Sequence, residues 1–320
     1  MLNDIKKPIS NHLEKFEDFF KQNMNSDIKL LNLIVNYIVR RKGKQLRPML
    51  VFLSAGACGK IEQPAYVAAG MIELLHTATL IHDDIVDEAY ERRGFFSINA
   101  LWRSKVAVLV GDFLLSRGLQ VAIEHNQIDM LRVINQAVKD MSEGELLQIE
   151  RSRKMNIDEE TYYEIIRKKT ASLIASCCAN GAIAAKAPDE MVDTMYQFGL
   201  NLGIAFQIRD DLFDYQPSGA IGKPTGNDIK EQKLTLPLIY SLKNANKLER
   251  KRILRLITRG KKESIPEIIT FAKQSGGLEY THQKMLEFRD KAKDILNNIP
   301  DSEYKDSLLI LTDFMVNRNK

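Results

Sequence analysis

Cysteine is nearly absent from this 320-residue chain: Cys58, Cys177 and Cys178 form no CxxC pair and leave an odd count. A disulfide framework is thereby excluded, and the three thiols read as reduced groups in a cytoplasmic interior. Proline (9) and glycine (17) are sparse as well, so little interrupts the chain. An excess of one charge is also missing. A net +4 over 320 residues argues against a nucleic-acid partner, whose basic footprint is larger and more clustered. The segment "MLNDIKKPIS" lacks the apolar run of a secretion signal. The most apolar stretches, "LLNLIVNYIV" and "VAVLVGDFLL", fall well short of the ~20 residues that span a bilayer. The expectation is a cytoplasmic protein with no transmembrane segment, which leaves peripheral contact with a membrane surface open.

What is present is a helical period. Apolar residues recur at three- and four-residue spacing almost everywhere, and alternating, strand-like runs are scarce. Gly and Pro fall where helices should end, at 40–48, 92–95, 186–190 and 216–228. Between these breaks lie helices of about 15 to 30 residues. Asp158 reads as the N-cap of a helix through "EETYYEIIRKKTASLIASCCANGAIAA", with Glu159 and Glu160 in the first turn, where the helix dipole favours acids. No linker or low-complexity block divides the sequence, so residues 1–320 are expected to form a single all-α domain.

One motif occurs twice. Asp83, Asp84 and Asp87 in "HDDIVD" and Asp210, Asp211 and Asp214 in "RDDLFD" both read DDxxD. Residues three and four apart share a helix face, so each trio is expected to project together, at a cost that cations must offset. A lone cluster of this kind is ordinarily a solvated acidic face. The flanks argue otherwise: Leu74, Leu75, Ala78, Leu80 and Ile81 precede the first, and Gly203, Ile204, Ala205, Phe206 and Ile208 the second. These are core compositions. Two acidic clusters, each ending an apolar helix, fit a shared site at the mouth of a pocket. Carboxylates without His or Cys suit hard cations, and Mg²⁺ keeps its waters while bridging to phosphates. Five histidines are too few for the phosphohydrolase chemistry that "HDD" at 82–84 could suggest. His82 reads as structural, whereas His76, two turns before Asp83 on nearly the same face, could reach a bound phosphate.

Basic residues answer the acids from short segments marked by Gly or Pro. "GKQLRP" supplies Lys44 and Arg47, "ERRG" supplies Arg92 and Arg93, "RKKTASL" supplies Lys168 and Lys169 before Thr170, and "GKPTGNDIKEQKLTLP" supplies Lys223 and Lys233. Arg forks grip phosphate oxygens and Lys binds them as a point charge. Each alone is ordinarily a surface charge. Together with the acidic clusters they describe a site for two polyphosphates, one on metal and one directly on Arg and Lys.

In this order, "GKQLRP", "HDDIVDEAYERRG", "KTASL", "FQIRDDLFDY", "GKPTGNDIKEQKLTLP" and "GGLEYT" resemble the motifs of the trans-type isoprenyl diphosphate synthases, from about residue 40 to near the C-terminus. The resemblance implies the isoprenoid synthase type I fold, an all-α bundle with a deep central cavity, as a homodimer. It also implies that Asp83, Asp84, Asp87, Asp210, Asp211 and Asp214 hold Mg²⁺ against an allylic diphosphate. Arg92, Lys169, Lys223 and Lys233 would add positive charge there, while Lys44, Arg47, His76 and Arg93 would bind isopentenyl diphosphate. Thr170 joins the substrate site, and Gln207 and Phe206 match positions near the reacting carbons. The allylic C–O bond would break toward a carbocation, the double bond of isopentenyl diphosphate would attack it, and a proton would leave to the released diphosphate.

The same resemblance bears on product length. Short-chain members with DDxxD carry bulky aromatics just before the first Asp, whereas Ala78 and Thr79 stand there. Thr79 lies about 6 Å below Asp83. Growth should then pass to a deeper floor near Phe113, Leu115 or Leu119, giving a hepta- or octaprenyl diphosphate for a quinone side chain, with membrane contact for product release. The alternative is a farnesyl or geranylgeranyl diphosphate synthase. A class I terpene cyclase would need neither the full second DDxxD nor "GKQLRP", and a regulatory subunit would have lost its acidic motifs.

Overall fold

Helices end at the breaks expected at 40–48 and 186–190, two short strands flank the one at 92–95, and most of 216–228 lies outside the described residues. The computed structural model describes residues 2–40, 43–92, 94–155, 157–216 and 226–317, and these are helical almost throughout. The chain begins with α1 (Leu2–Lys6), α2 (Ser10–Met24), α3 (Lys29–Val39), α4 (Leu46–Cys58) and α5 (Gln63–Val86). A two-residue hairpin follows, β1 (Glu91–Arg92) against β2 (Phe95–Phe96), then α6 (Ile98–Glu124), α7 (Ile128–Lys154) and α8 (Glu159–Ile166). The rest is α9 (Ser172–Ala184), α10 (Asp189–Phe213), α11 (Asn227–Lys230), α12 (Leu236–Asn244), α13 (Lys247–Arg259), α14 (Ile265–Gln274), α15 (Gly277–Leu296) and α16 (Glu303–Asn317). The fold is all-α, as the sequence period requires.

Asp158 caps α8 as expected, its carboxylate accepting the Thr161 N–H at 2.9 Å. The helix predicted to run unbroken from there instead passes through a π turn at Arg167–Ala171 before α9. Such turns widen a helix by one residue and recur at functional sites.

Helix α9 is the axis of the molecule. Every residue from Ser172 to Ala182 is buried, which a helix sustains only when neighbours cover all its faces. Helices α4, α5, α7 and α10 provide that cover. Contact pairs give the directions. A Cβ on Gly203 would stand 2.6 Å from the Cα of Ala171, and one on Gly199 2.7 Å from the Cα of Ala175. Only glycine permits that approach, and the pairing makes α9 and α10 antiparallel. Gly181 faces Ala55 and Gly59 faces Ala185, so α4 and α9 are parallel. Helix α5 returns along α4 after the turn at 59–62, Arg47 reaching Glu73 at 3.2 Å. Hence α5 and α10 run in the same direction, and their C-terminal ends, which carry the two DDxxD motifs, arrive at the same end of the bundle.

Helix α6 is longer than the ten-residue apolar run "VAVLVGDFLL" suggested, and both it and α5, where no such run was read, have the length and composition to cross a membrane. Their packing accounts for that character without a bilayer. They lie along each other, with Gly111 of α6 directly beneath the His82 ring, and α5 also packs on α9. Helix α6 nevertheless keeps an apolar face outward, with Leu101, Val108, Leu109 and Ile123 exposed.

Candidate active site

The first aspartate cluster ends α5. The Asp87 N–H closes the last turn on the Asp83 carbonyl at 2.8 Å, and Glu88, at φ 49°, turns the chain toward the hairpin. The expected common projection is split: Asp84 is buried, while Asp83 and Asp87 are exposed. A 100° step between neighbours places Asp84 at the inner edge of the face. His82 does what a structural residue does, resting over Gly111 with Nε2 3.5 Å from Asp112. Arg93 and the side chain of Arg92 lie outside the described residues.

The second cluster is drawn inward. Asp211 is buried and accepts hydrogen bonds from the Tyr162 hydroxyl (2.7 Å) and the Gln207 amide (2.8 Å). Gln207 in turn accepts the Thr170 hydroxyl at 2.7 Å, a meeting made possible by the glycine contact between α10 and α9. Asp214 does not project with Asp211. Its carboxylate accepts the N–H groups of Asn227 (2.8 Å) and Asp228 (3.1 Å) and so caps the α11 turn. Burial pushes the Asp211 carboxyl up to about 8, with the nearby charge of Asp228 adding to it. Asp228 is raised to about 6, first by burial and then by Asp214, against the pull of Lys233.

A cavity of about 100 Å³ lies here, its lining including Tyr162, Lys169, Thr170, Gln207, Asp211, Asp228 and Lys233. Five of these seven were expected from sequence. Lys169 pairs with Glu145 and Lys233 with Glu231. Lys168 points elsewhere, to Glu143 at 3.0 Å and Glu164 at 3.5 Å. Lys223 lies outside the described residues. Two members were missed. Asp228 had a signal, since it sits inside "GKPTGNDIKEQKLTLP", but only the lysines of that segment were singled out. Tyr162 had none, because its partner is 49 residues away.

A second basic group forms where α4 begins. The Arg47 guanidinium bonds Glu73 at 3.2 Å and contacts Nε2 of His76. Arg has only donors, so His76 accepts and carries its proton on Nδ1. Lys44 stands 5.4 Å from the centre of the Phe314 ring. Phe206 is partly buried against the main core. Ala78 is buried in the apolar cluster between α5 and α6, to which Phe113 and Leu115 also belong, whereas Thr79 and Leu119 are half-buried.

The sequence profile of the polyprenyl synthetase family matches residues 28–272. The octaprenyl diphosphate synthase of Escherichia coli strain K12 is 36% identical over 93% of this chain and 93% of its own. A crystal structure of a decaprenyl diphosphate synthase from Rhodobacter capsulatus superposes with a TM-score of 0.94 at 32% identity, covering 100% of both chains. A polyprenyl synthase from Caulobacter crescentus CB15, solved with calcium and isoprenyl diphosphate, gives 0.91 at 31% identity over 100% of this chain and 98% of that one. Further relatives are named for hepta-, nona- and decaprenyl products, and one is named a short chain synthase. Geranylgeranyl diphosphate synthases share the architecture too, so the fold alone does not separate long products from short ones.

Proposed function

The chain belongs to the polyprenyl synthetase family, and from that premise we propose that it condenses isopentenyl diphosphate with an allylic diphosphate to build a long-chain prenyl diphosphate. One observation carries the site assignment: Asp211, Gln207 and Thr170 form one hydrogen-bonded line between Lys169 and Lys233, at the end of the bundle that also bears Asp83, Asp84 and Asp87. The donor set fits a hard cation. It consists of carboxylate oxygens, and burial raises Asp211 and Asp228, so ionising them together calls for positive charge. Among the described residues no three His, Cys, Asp or Glu converge on a point. Mg²⁺ is held by one or two carboxylates and completes its shell with water and substrate phosphate. The holders would be Asp83, Asp84, Asp87, Asp210, Asp211 and Asp214. When bound, the ion would supply charge that stabilises the departing diphosphate.

The chain's own residues do the rest. Lys169 and Lys233, joined by Arg92 and Lys223, neutralise the allylic diphosphate as its C–O electron pair leaves with it. Arg47, relayed by His76 and joined by Lys44 and Arg93, holds isopentenyl diphosphate so that its double bond faces the cation. Tyr162 and Gln207 fix Asp211, and Thr170 fixes Gln207. The final proton goes to the released diphosphate. The long product rests on Thr79 and Ala78, which put no aromatic ring below Asp83, and on the relatives named for long products. Phe113, Leu115 and Leu119 would form the deeper floor. A hepta- or octaprenyl chain for a quinone, a cytoplasmic enzyme and a single domain over 1–320 complete the reading. The outward apolar face of α6 favours a second copy of the chain as its cover, giving a homodimer.

Incubation with farnesyl diphosphate, isopentenyl diphosphate and Mg²⁺, followed by product chromatography, tests this. Products well beyond twenty carbons, abolished by a chelator, are expected. Arrest at twenty carbons would favour the short-chain alternative, and no condensation at all would overturn the function.

A further inference from the structure

Helix α13 carries charge out of proportion to its size. Between Lys247 and Glu263 there are eight Lys or Arg and two Glu, a segment charge of +6. The whole chain has only +4, so everything outside this segment is net negative. The arrangement is one-sided. Ile253 and Ile257, fully buried, seat the helix on the protein. Lys247, Arg250, Lys251, Arg255 and Arg259, at helical spacing, are exposed along the outer face of α13. Arg252 turns aside to pair with Glu267. Among the described residues no carboxylate pairs with the other five.

We propose that this face docks the protein on an anionic lipid surface. Charge complementarity selects the partner's sign, since clusters of four to eight Lys or Arg are drawn to anionic headgroups. Two further features select a membrane over a nucleic acid. No aromatic residue lies between 247 and 263, so there is nothing on which bases could stack. Leu248, 83% exposed, stands one turn from Lys251 and Arg252, where insertion at the headgroup boundary would bury it. The long aliphatic stems of the basic residues can lie along that boundary with their charges in water. The docking role rests on the proposed reaction, whose long-tailed diphosphate product must leave into a bilayer.

Sedimentation with sucrose-loaded vesicles tests this on the full chain, comparing pure phosphatidylcholine with an equimolar phosphatidylcholine–phosphatidylglycerol mixture. Wild type should partition onto the mixed vesicles only, and added salt should release it. R250E/K251E/R255E should lower that partition at least about tenfold, with helical circular dichroism and condensation of soluble primers unchanged. Leu248→Ser should weaken partition less and leave its salt dependence intact. Equal binding to both vesicles, equal binding by the charge-reversed variant, or binding to a short RNA without binding to anionic vesicles would each overturn the proposal. The two readings separate cleanly: vesicle binding without condensation sinks the function, and condensation without vesicle binding sinks the docking face.

Discussion

The same five-letter pattern ends α5 and α10, yet the two ends are built differently. On α5 two of the three aspartates face solvent, and the chain turns straight into a hairpin. On α10 Asp211 is buried under Tyr162 and Gln207, and the Asp214 carboxylate accepts N–H groups at the start of α11. One turn below the first aspartate the contrast repeats, with Thr79 under Asp83 and Phe206 under Asp210. The second motif is thus tied by hydrogen bonds to α8 and α11, whereas two of the first motif's three aspartates are exposed to solvent. Preorganisation of this kind costs stability in the empty protein and lowers the reorganisation needed during reaction.

The largest effect tests the shared role. Asp83→Ala and Asp210→Ala should each lower turnover by roughly 10²–10³-fold or more, with helical circular dichroism retained. Near-wild-type activity in either would remove that end from the site.

Stability should then tell the two ends apart. The unfolded chain releases the Asp211 proton near 3.8, while the folded protein holds it up to about 8. Between those values the unfolded state is the one that ionises, so stability falls as pH rises through this window. Metal-free protein should therefore melt lower at pH 8 than at pH 5, and Mg²⁺ with diphosphate should restore more at pH 8. Asp211→Asn removes that ionisation and should raise the metal-free melting temperature at pH 8, with a gain that shrinks toward pH 4. Thermal melts across pH decide the matter, and identical profiles for wild type and Asp211→Asn would remove the buried Asp211 carboxyl as the source of the pH dependence.

Tyr162→Phe is a smaller probe of the same network. It strips one hydrogen bond from a buried carboxyl, worth about 1–3 kcal/mol, and should shift the pH profile of turnover as well as stability. A stability change with an unmoved profile would make Tyr162 a packing residue only.

Much of this was legible in sequence because helices announce themselves by period. The breaks, the Asp158 cap, both aspartate motifs and most of the basic partners could be read from local spacing. The difference between the motifs could not. Periodicity assigns residues to a face but says nothing of what that face meets, and the neighbours of Asp211 come from α8 and from α11. Asp228 was hidden for the same reason: its significance lies in its nearness to Asp211 and Asp214, not in its own surroundings in the chain. The π turn, likewise, reflects how 167–171 packs on α7 and α10, which no local propensity encodes.

The smallest expected change concerns product length, and the structure sharpens how to test it. Ala78 and Thr79 were paired as the two small residues below the first cluster, but only Thr79 is half-buried; Ala78 is closed in between α5 and α6. A phenylalanine at 78 must overpack that interface, at a cost of about 1–3 kcal/mol, so a shorter product from it would be confounded with a damaged fold. Thr79→Phe avoids most of that cost and makes α5 resemble α10, where Phe206 already occupies the matching position. It should shorten the main product by one or more isoprene units while turnover of the first condensation is kept. Phe206→Thr, the reverse exchange, should leave product length unchanged. If Thr79→Phe gave the same product ladder as wild type, the space below Asp83 would not be the path of the growing chain.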